Sequence, residues 1–421
     1  MTTLFASVST LLLSAAILLT GHGLQLTLAP LFASEMGWSA QEIGYTGSAY
    51  FSGFMIGCLT IPRLVERVGH IRVFAVLASL ASIAVLLLGL LPSMGAWLFA
   101  RLLTGIAFSG LYMVIESWLN ERVTGEHRGA VLSVYTIITL AAIALGQVSV
   151  GFGLDYATLT VLAAIIFCIG LIPVGLTRSP SPPLETVSFR LREVFQTSQV
   201  AVVGAFVGGA VTSGIWALGP IVGESMGLAL DQIGFFMAIT IIGGAVFQFP
   251  VGRLSDSMDR RIVILNLAAA GSVLCIIAII LGGFNSALAI YLVMFVFGGV
   301  TFPLYSLCVA HANDNTKLAL MEIASVVLLM HSAGSIFGPL MVAPLLDTHD
   351  SGLFMFAGVV LAVFAVWTAW RLQVHDVARR YFAPFIGVPR TTHEIATVVE
   401  AEVEAADFDP PPPDDDARDA A

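Results

Sequence analysis

Glu116 is the side chain best suited to chemistry in this sequence, because it lies in a long apolar stretch with Tyr112 one helical turn before it. Side chains four residues apart share one face of a helix. A carboxyl group in a low-dielectric medium can take up and release a proton near neutral pH. Glu116 is therefore a candidate for proton exchange or for binding a cationic group. Alternatively, it is a structural acid that pairs with Arg122, six residues or about 9 Å further along the helix.

The composition explains why one acid stands out. Of the 421 residues, 57% are hydrophobic and 11% are charged, and the mean hydropathy is +0.93. A soluble protein carries charges on about a quarter of its residues, so this chain cannot cover a water-facing surface. The composition predicts a membrane protein with many spans, in which polar groups inside the bilayer are costly and mark functional sites.

The apolar segments are long enough to cross a bilayer, which takes about 20 residues per helix. We interpret the first segment as a span and not a signal peptide, because no Lys or Arg precedes Arg63. The twelve predicted spans are residues 8–30, 42–62, 72–91, 96–119, 130–151, 157–177, 198–221, 231–251, 262–282, 287–310, 319–343 and 352–371.

The 18 Lys and Arg residues indicate the orientation of these spans. All of them follow even-numbered spans, except Arg101, which lies inside the fourth span near its outer end. Cytoplasmic loops attract Lys and Arg. The pattern predicts that both termini are cytoplasmic and that the protein resides in the cytoplasmic (inner) membrane.

Most of the net charge of −10 comes from the C-terminal end, where residues 394–421 hold ten acids and one Arg. This acidic, Pro-rich composition is typical of a solvated, disordered tail.

The sequence contains an internal repeat. LAPLFASEMGWSAQEIGY, beginning at Leu28, and LGPIVGESMGLALDQIGF, beginning at Leu218, lie 190 positions apart and are identical at six of 18 positions. Gly53 and Gly243 match at the same offset. Six spans separate the two copies, so both halves have the same orientation, which is a parallel repeat. The repeat predicts two similar six-helix bundles that can rock against each other about a site between them.

Several motifs carry a family resemblance. Gly252–Arg261 reads GRLSDSMDRR, and a more divergent first copy, PRLVERVGHI, begins at Pro62. RLLTGIAFSG begins at Arg101, ESWLNERVTGEHRG at Glu116 and FPLYSLCVAHANDN at Phe302. These motifs resemble the major facilitator superfamily, and in particular its YcaD-like branch, over all twelve spans. The resemblance implies transport of a small solute by alternating access, and it names no substrate.

The resemblance also implies a cytoplasmic gate in the two motif copies, which we place in the loops after spans 2 and 8. The predicted gate residues are Glu66 and Arg67 in the first copy and Asp256, Arg260 and Arg261 in the second. An acid there can meet an arginine of its own loop and the positive N-terminus of a neighbouring helix. Alternatively, these residues form surface ion pairs worth less than about 1 kcal/mol.

In the superfamily, spans 1, 4, 7 and 10 line a central cavity, which gives the candidate site. By this resemblance, Arg101 packs towards the cavity and takes part in coupling with Glu116, or else its charged end reaches the outer interface. The candidate substrate-cavity residues are His22, Gln25, Tyr112, Trp216 and Tyr305. The candidate interhelical polar contacts are Gln147, Gln248 and His331.

Motifs for other chemistry are missing from the sequence. It has no Walker-type phosphate loop, no His/Cys/Asp cluster with metal-ligand spacing, no nucleophile elbow and no basic nucleic-acid surface. The four cysteines are far apart in apolar spans and are typical of core residues. We therefore expect no enzyme activity, no cofactor, no metal and no nucleic-acid partner.

The sequence thus predicts an all-α membrane protein with twelve transmembrane helices in two pseudo-symmetric six-helix bundles. The predicted bundles are residues 1–178 and 198–372, joined by a cytoplasmic linker, 179–197, and followed by the tail, 373–421. The predicted function is secondary active transport of a small organic solute, coupled to protons, by a monomer in the lipid bilayer. A uniporter and a non-transporting membrane sensor or assembly partner with the same fold remain alternatives, and the direction of transport stays open.

Overall fold

The computed structural model describes residues 2–122, 128–176, 190–281, 286–316, 318–374 and 385. Nearly all of them are helical. The α-helices are α1 Thr2–Glu35, α2 Ala40–Val68, α3 His70–Leu90, α4 Met94–Arg122, α5 Arg128–Val148, α6 Tyr156–Gly175, α7 Leu191–Thr197, α8 Gln199–Ser225, α9 Leu230–Ser257, α10 Arg260–Leu281, α11 Ala287–Thr301, α12 Pro303–Asn315, α13 Leu320–Leu346 and α14 Gly352–Val374.

The helices confirm the twelve predicted spans. Twelve segments within the described residues are long and apolar enough to cross a membrane, and the tenth, Ala287–Asn315, combines α11 and α12. This span is interrupted at Phe302, because Pro303 has no N–H to continue the helical ladder. Helix α7 lies in the predicted linker, of which residues 179–189 are outside the described part. The predicted tail, apart from residues 373, 374 and 385, is also outside it, so the predicted domain limits stay predictions.

The prediction that the gate motifs lie in loops is wrong. Helix α2 continues to Val68 and ends only at Gly69, whose φ of 85° favours glycine. Helix α9 continues to Ser257. Charged side chains at these ends do not stop a helix, since its backbone hydrogen bonds are made internally. Glu66, Arg67 and Asp256 therefore occupy the last helical turns of α2 and α9.

The internal repeat is visible in how the helices cross. A side chain at Gly53 of α2 would strike the backbone of α4, and one at Gly243 of α9 would strike the backbone of α11. In return, Gly105 of α4 lies against the backbone of Tyr50 in α2, and Gly298 of α11 against that of Thr240 in α9. Small residues let membrane helices approach this closely. The two halves use the same crossings, so they are pseudo-symmetric bundles.

The opening turn of each half explains the most similar part of the repeat. Gly37, between α1 and α2, has a φ of 79°, and Gly227, between α8 and α9, has a φ of 78°. Both values lie in the left-handed region that only glycine adopts readily. The next helix in each half is capped alike: the Glu42 side chain accepts from the Ser39 N–H, and the Gln232 side chain accepts from the Ala229 N–H.

The two halves meet at the end of the bundle whose loops carry no Lys or Arg, here called the non-basic end. Gly44 and Gly47 of α2 lie against α13 and α8 of the other half. The Asp347 carboxylate, directly after α13, accepts hydrogen bonds from the first backbone N–H groups of α2, Ala40 (2.8 Å) and Gln41 (3.2 Å). These contacts hold the two halves together at this end.

Candidate functional site

A cavity of about 200 Å³ lies between the two halves. Helices α1, α2, α4 and α5 contribute one wall, and α8, α9, α12, α13 and the α11–α12 junction contribute the other. The cavity is mostly aromatic and aliphatic, with a few polar groups, which is the usual composition of a small-molecule site. Its described lining residues are His22, Leu26, Tyr50, Phe51, Phe54, Tyr112, Glu116, Tyr135, Thr136, Thr139, Leu140, Ile143, Thr212, Trp216, Gly244, Ala245, Gln248, Phe302, Ser306, His331, Ser332 and Ser335.

Glu116 is the acid of this wall. It is fully buried, and its Oε1 atom accepts a hydrogen bond from the Tyr135 hydroxyl of α5 at 3.0 Å. Tyr112 lines the same wall one turn away, as the sequence predicts. The Tyr135 hydroxyl fixes the orientation of the Glu116 carboxyl group. The structure therefore brings the predicted proton-exchanging acid to the interface between the halves.

His22 lies deeper in the first half. Its Nε2 atom is 3.2 Å from the Tyr50 hydroxyl, and its ring stacks on Phe108 with the centroids 3.7 Å apart. His22 and Tyr50 both line the cavity, whereas Phe108 packs behind them. The pair forms a polar patch at the cavity wall.

Arg101 and Gln25 are buried but do not line the cavity. The Arg101 guanidinium carbon lies 4.8 Å from the centroid of the Tyr50 ring, so Arg101 sits behind that ring. Gln25 donates through Nε2 to the hydroxyl of Thr104, at 3.4 Å, one helical turn from Arg101 on α4. The Arg101 side chain is nearly inaccessible, with 3% of its surface exposed.

The wall of the second half is aromatic and hydroxyl-rich. The Trp216 ring stacks on Phe302, centroid to centroid 5.9 Å, at the break between α11 and α12. His331 and Gln248, predicted as interhelical contacts, line the cavity. Tyr305 is buried and does not line the cavity. Its ring packs edge-on against His331, with the ring centroids 5.2 Å apart.

Gln147 lies at a contact between the halves and not in the cavity. Its backbone carbonyl faces Gly234 of α9. Its side-chain amide is buried and makes no hydrogen bond within the described part of the chain. The interhelical bond predicted for Gln147 is not formed in this state.

The second gate motif forms a charged cluster at the opposite end of the bundle, whose loops carry the Lys and Arg residues and which is here called the basic end. Arg260 is buried and pairs with Asp314 at 2.5 Å and with Asp256 at 3.5 Å. Arg261 donates to both carboxylate oxygens of Asp259. Burial raises the pKa of Asp259, but the hydrogen bonds and positive charge of Arg261 outweigh it and hold this pKa below its ordinary value.

The first gate motif differs. Glu66 and Arg67 are exposed, and neither forms an ion pair with another residue among those described. Among the described residues, an ion pair between an acid and an arginine of the same motif is thus found in the second copy and not in the first. The substitutions that set the first copy apart from the second account for this, because no basic residue stands at the position of Arg260 in the first copy, where His70 is found.

Sequence reasoning missed half of the cavity wall. Tyr50, Phe54 and Tyr135 line it, but they lie in spans 2 and 5, and the superfamily pattern pointed only to spans 1, 4, 7 and 10. In the structure α2, α5, α9 and α13 contribute as well. The signal that could have found Tyr135 was a lone tyrosine in an apolar span at the depth of Glu116. In the part of the chain that the structure describes, no group of His, Cys, Asp or Glu is arranged to hold a metal ion.

Twelve spanning helices, two parallel bundles and a mostly apolar cavity with a few polar groups at their interface define the class of membrane transporters that work by moving two halves about a central site. The Major Facilitator Superfamily model matches residues 11–339 and 201–399 of the sequence. The chain belongs to the major facilitator superfamily.

Similar proteins agree with this family. The uncharacterized MFS-type transporter YcaD of Escherichia fergusonii is 27% identical over 363 residues, which is 84% of this chain and 93% of the relative. The same-named protein of Salmonella arizonae is 26% identical over 353 residues, 80% of this chain and 88% of the relative.

Two solved structures share the fold at 14% sequence identity. The nucleoside transporter NupG has a TM-score of 0.73 and covers 86% of this chain and 99% of its own. A bacterial homolog of the human lysosomal transporter Spinster, inward-facing and occupied, has a TM-score of 0.66 and covers 95% of both chains.

Proposed function

We propose that this transporter moves a small organic solute by alternating access and couples that movement to protons through Glu116. The observation that carries the proposal is the position of Glu116, fully buried in the wall of the cavity between the halves. A carboxyl group that contacts both the solute and the interface between the moving halves can link its own protonation to the side on which the cavity opens.

The size and lining of the cavity support a small solute. About 200 Å³ corresponds to the liquid volume of roughly seven water molecules, at the small end of ligand sites. Tyr112, Trp216 and Phe302 offer flat apolar area, while His22 and Gln248 offer hydrogen bonds. A molecule with one ring or a short branched chain fits this description.

The contacts at the non-basic end support a cavity that communicates with the basic end in this state. The distribution of Lys and Arg supports a cytoplasmic location for the basic end and for both termini, in the inner membrane. The charged cluster of Asp256, Arg260 and Arg261 would then act at the cytoplasmic gate when the cavity opens to the opposite side. A single chain contains both halves of the cavity, so a monomer suffices.

A thermal-stability screen of the purified protein against small metabolites, at two pH values, tests this proposal. A ligand at 100 times its Kd stabilises the protein by about 2.7 kcal/mol. Each hit is then tested in proteoliposomes for accumulation driven by an imposed pH gradient. We expect accumulation in the wild type and only equilibration in Glu116→Gln. Glu35→Gln removes an exposed acid outside the cavity and serves as the matched control.

The outcomes separate the alternatives. Equilibration without accumulation in the wild type would make the protein a uniporter. Accumulation that persists unchanged in Glu116→Gln would remove Glu116 from the coupling.

A further inference from the structure

Arg101 is an arginine buried in the membrane interior without an anion beside it. The described residues provide no hydrogen-bond or ion-pair partner for this side chain, and its Nε and Nη1 atoms are both inaccessible. A charged side chain at this depth is costly unless it is paired. This cost indicates that Arg101 gains a partner in another state of the protein or from a bound ligand.

The stacking of Arg101 on Tyr50 does not meet this need. The guanidinium carbon lies 4.8 Å from the ring centroid, so one face of the cation is covered. The five N–H donors of a guanidinium lie in its plane, at its edges. An aromatic ring over the face leaves these edge donors unsatisfied, and a planar carboxylate is the group whose two oxygens match them.

Two polar atoms near Arg101 also lack hydrogen-bond partners. The Oε1 atom of Gln25 and the Nδ1 atom of His22 are buried, and neither has a hydrogen-bond partner within the described ranges. Gln25 is held one turn from Arg101 through Thr104, and His22 is linked to Tyr50. These groups come from α1, α2 and α4 and converge on the region behind the Tyr50 ring.

The position of this cluster relates it to the cavity. Tyr50 and His22 line the cavity, and Arg101 is the next group behind Tyr50. Arg101 lies seven residues, or about 10 Å, from the non-basic end of α4, whereas Glu116 lies about 22 Å further along the same helix. Arg101 and Glu116 therefore lie towards opposite ends of α4.

We propose that Arg101 forms a subsite for a carboxylate group of the transported solute, with the Oε1 atom of Gln25 beside it as an acceptor for an N–H or O–H group of that solute, and with Tyr50 and His22 as the partition that separates the subsite from the cavity. The inference deepens the proposed function and rests on it, since it assigns the solute to the small organic acids or zwitterions. Arg101 binds the anionic group when the cavity opens towards the non-basic end, and Glu116 carries the proton at the other end.

Paired probes that differ only in charge test the assignment on purified wild-type protein. The pairs are benzoate and benzamide, phenylacetate and phenylacetamide, and 3,3-dimethylbutanoate and 3,3-dimethylbutanamide. Binding is measured by calorimetry in a buffer that contains neither chloride nor any carboxylate. For at least one pair we expect the carboxylate to bind at least tenfold more tightly than its amide. We expect Arg101→Gln to abolish this preference.

Two further variants keep the test decisive. Arg101→Lys retains the charge, so the protein should fold, but a single ammonium cannot bind a carboxylate through two parallel bonds. We expect it to reduce the preference without abolishing it. Arg253→Gln is the matched control, because Arg253 also stacks on an aromatic ring, Phe249 at 4.3 Å, but is exposed on α9. We expect this variant to keep the full preference.

Three results would overturn the inference. They are no preference for any carboxylate in the wild type, an undiminished preference in the Arg101 variants, and chloride binding at Arg101 that no carboxylate exceeds. None of these results bears on proton coupling, because the proposed function is tested separately by accumulation under a pH gradient in Glu116→Gln. A carboxylate preference without accumulation would leave the subsite standing and refute the coupling.

Discussion

Replacing Asp347 by asparagine should shift the transporter towards the state that is open at the non-basic end. The Asp347 carboxylate accepts the N–H groups of Ala40 and Gln41 across the boundary between the halves. These N–H groups belong to the first turn of α2, which has no internal partner for them and carries positive dipole charge. Asparagine keeps one oxygen acceptor, but it is neutral. The attraction between the Asp347 charge and the positive end of the helix dipole is therefore lost.

The magnitude follows from this geometry. Asp347 is exposed, so the lost interaction is worth about 1 kcal/mol, which changes the equilibrium between the two states about fivefold. The Ser34 hydroxyl also donates to Glu224 across the halves, at 2.8 Å. Combining Asp347→Asn with Ser34→Ala should therefore shift the equilibrium further. Helix α2 should remain intact, because its Ser39 cap is unaffected.

Distance measurements between spin labels test this prediction. Labels at Ser93 and Ser286, both exposed at the non-basic end, report on the separation of the two halves in a background without native cysteines. Asp347→Asn should increase the population at the longer distance. Asp350→Asn removes a nearby exposed acid and should leave the distribution unchanged. Identical distributions in the two variants would refute the assignment of Asp347 as a latch.

Three further predictions concern stability in mixed micelles. Gly105→Ala should destabilise the protein by about 1 to 3 kcal/mol, because the new methyl group meets the backbone of α2; Gly95→Ala, where nothing lies within 4 Å, should not. Asp314→Asn should cost about 3 kcal/mol, because it leaves the buried Arg260 with only its longer ion pair to the exposed Asp256, whereas Glu193→Gln, in an exposed pair, should cost less than about 1 kcal/mol. Asp259 has a lowered pKa, so its contribution is present above the ordinary value of about 3.9 and is lost as pH falls through the lowered pKa. Thermal melts at a series of pH values should show that the melting temperature falls less at acid pH in Asp259→Asn than in the wild type; equal falls would contradict this.

The second gate motif shows where sequence reasoning reached its limit. The spacing of Asp256, Arg260 and Arg261 indicates charged residues at a membrane surface. It could not reveal that Arg260 turns inwards to pair with Asp314, because the two are 54 positions apart and meet only when α10 packs against α12. The first motif also places charged residues, Glu66 and Arg67, at a membrane surface, yet these residues are exposed and lack such a partner in the part of the chain described.

The sequence by itself determined the number of spans and their common direction in the two halves, and it selected Glu116 as the candidate acid of the site. These features follow from local composition, since apolar length decides what can cross a bilayer and an isolated acid within a span is costly. Only the tertiary structure decided which side chains share the cavity. Tyr135 contacts Glu116, and Arg101 lies behind Tyr50, because close glycine crossings hold α2 against α4 and α1 against α5 at a particular rotation. That rotation depends on the packing of all neighbouring helices and is not encoded in the hydrophobic pattern of any one of them.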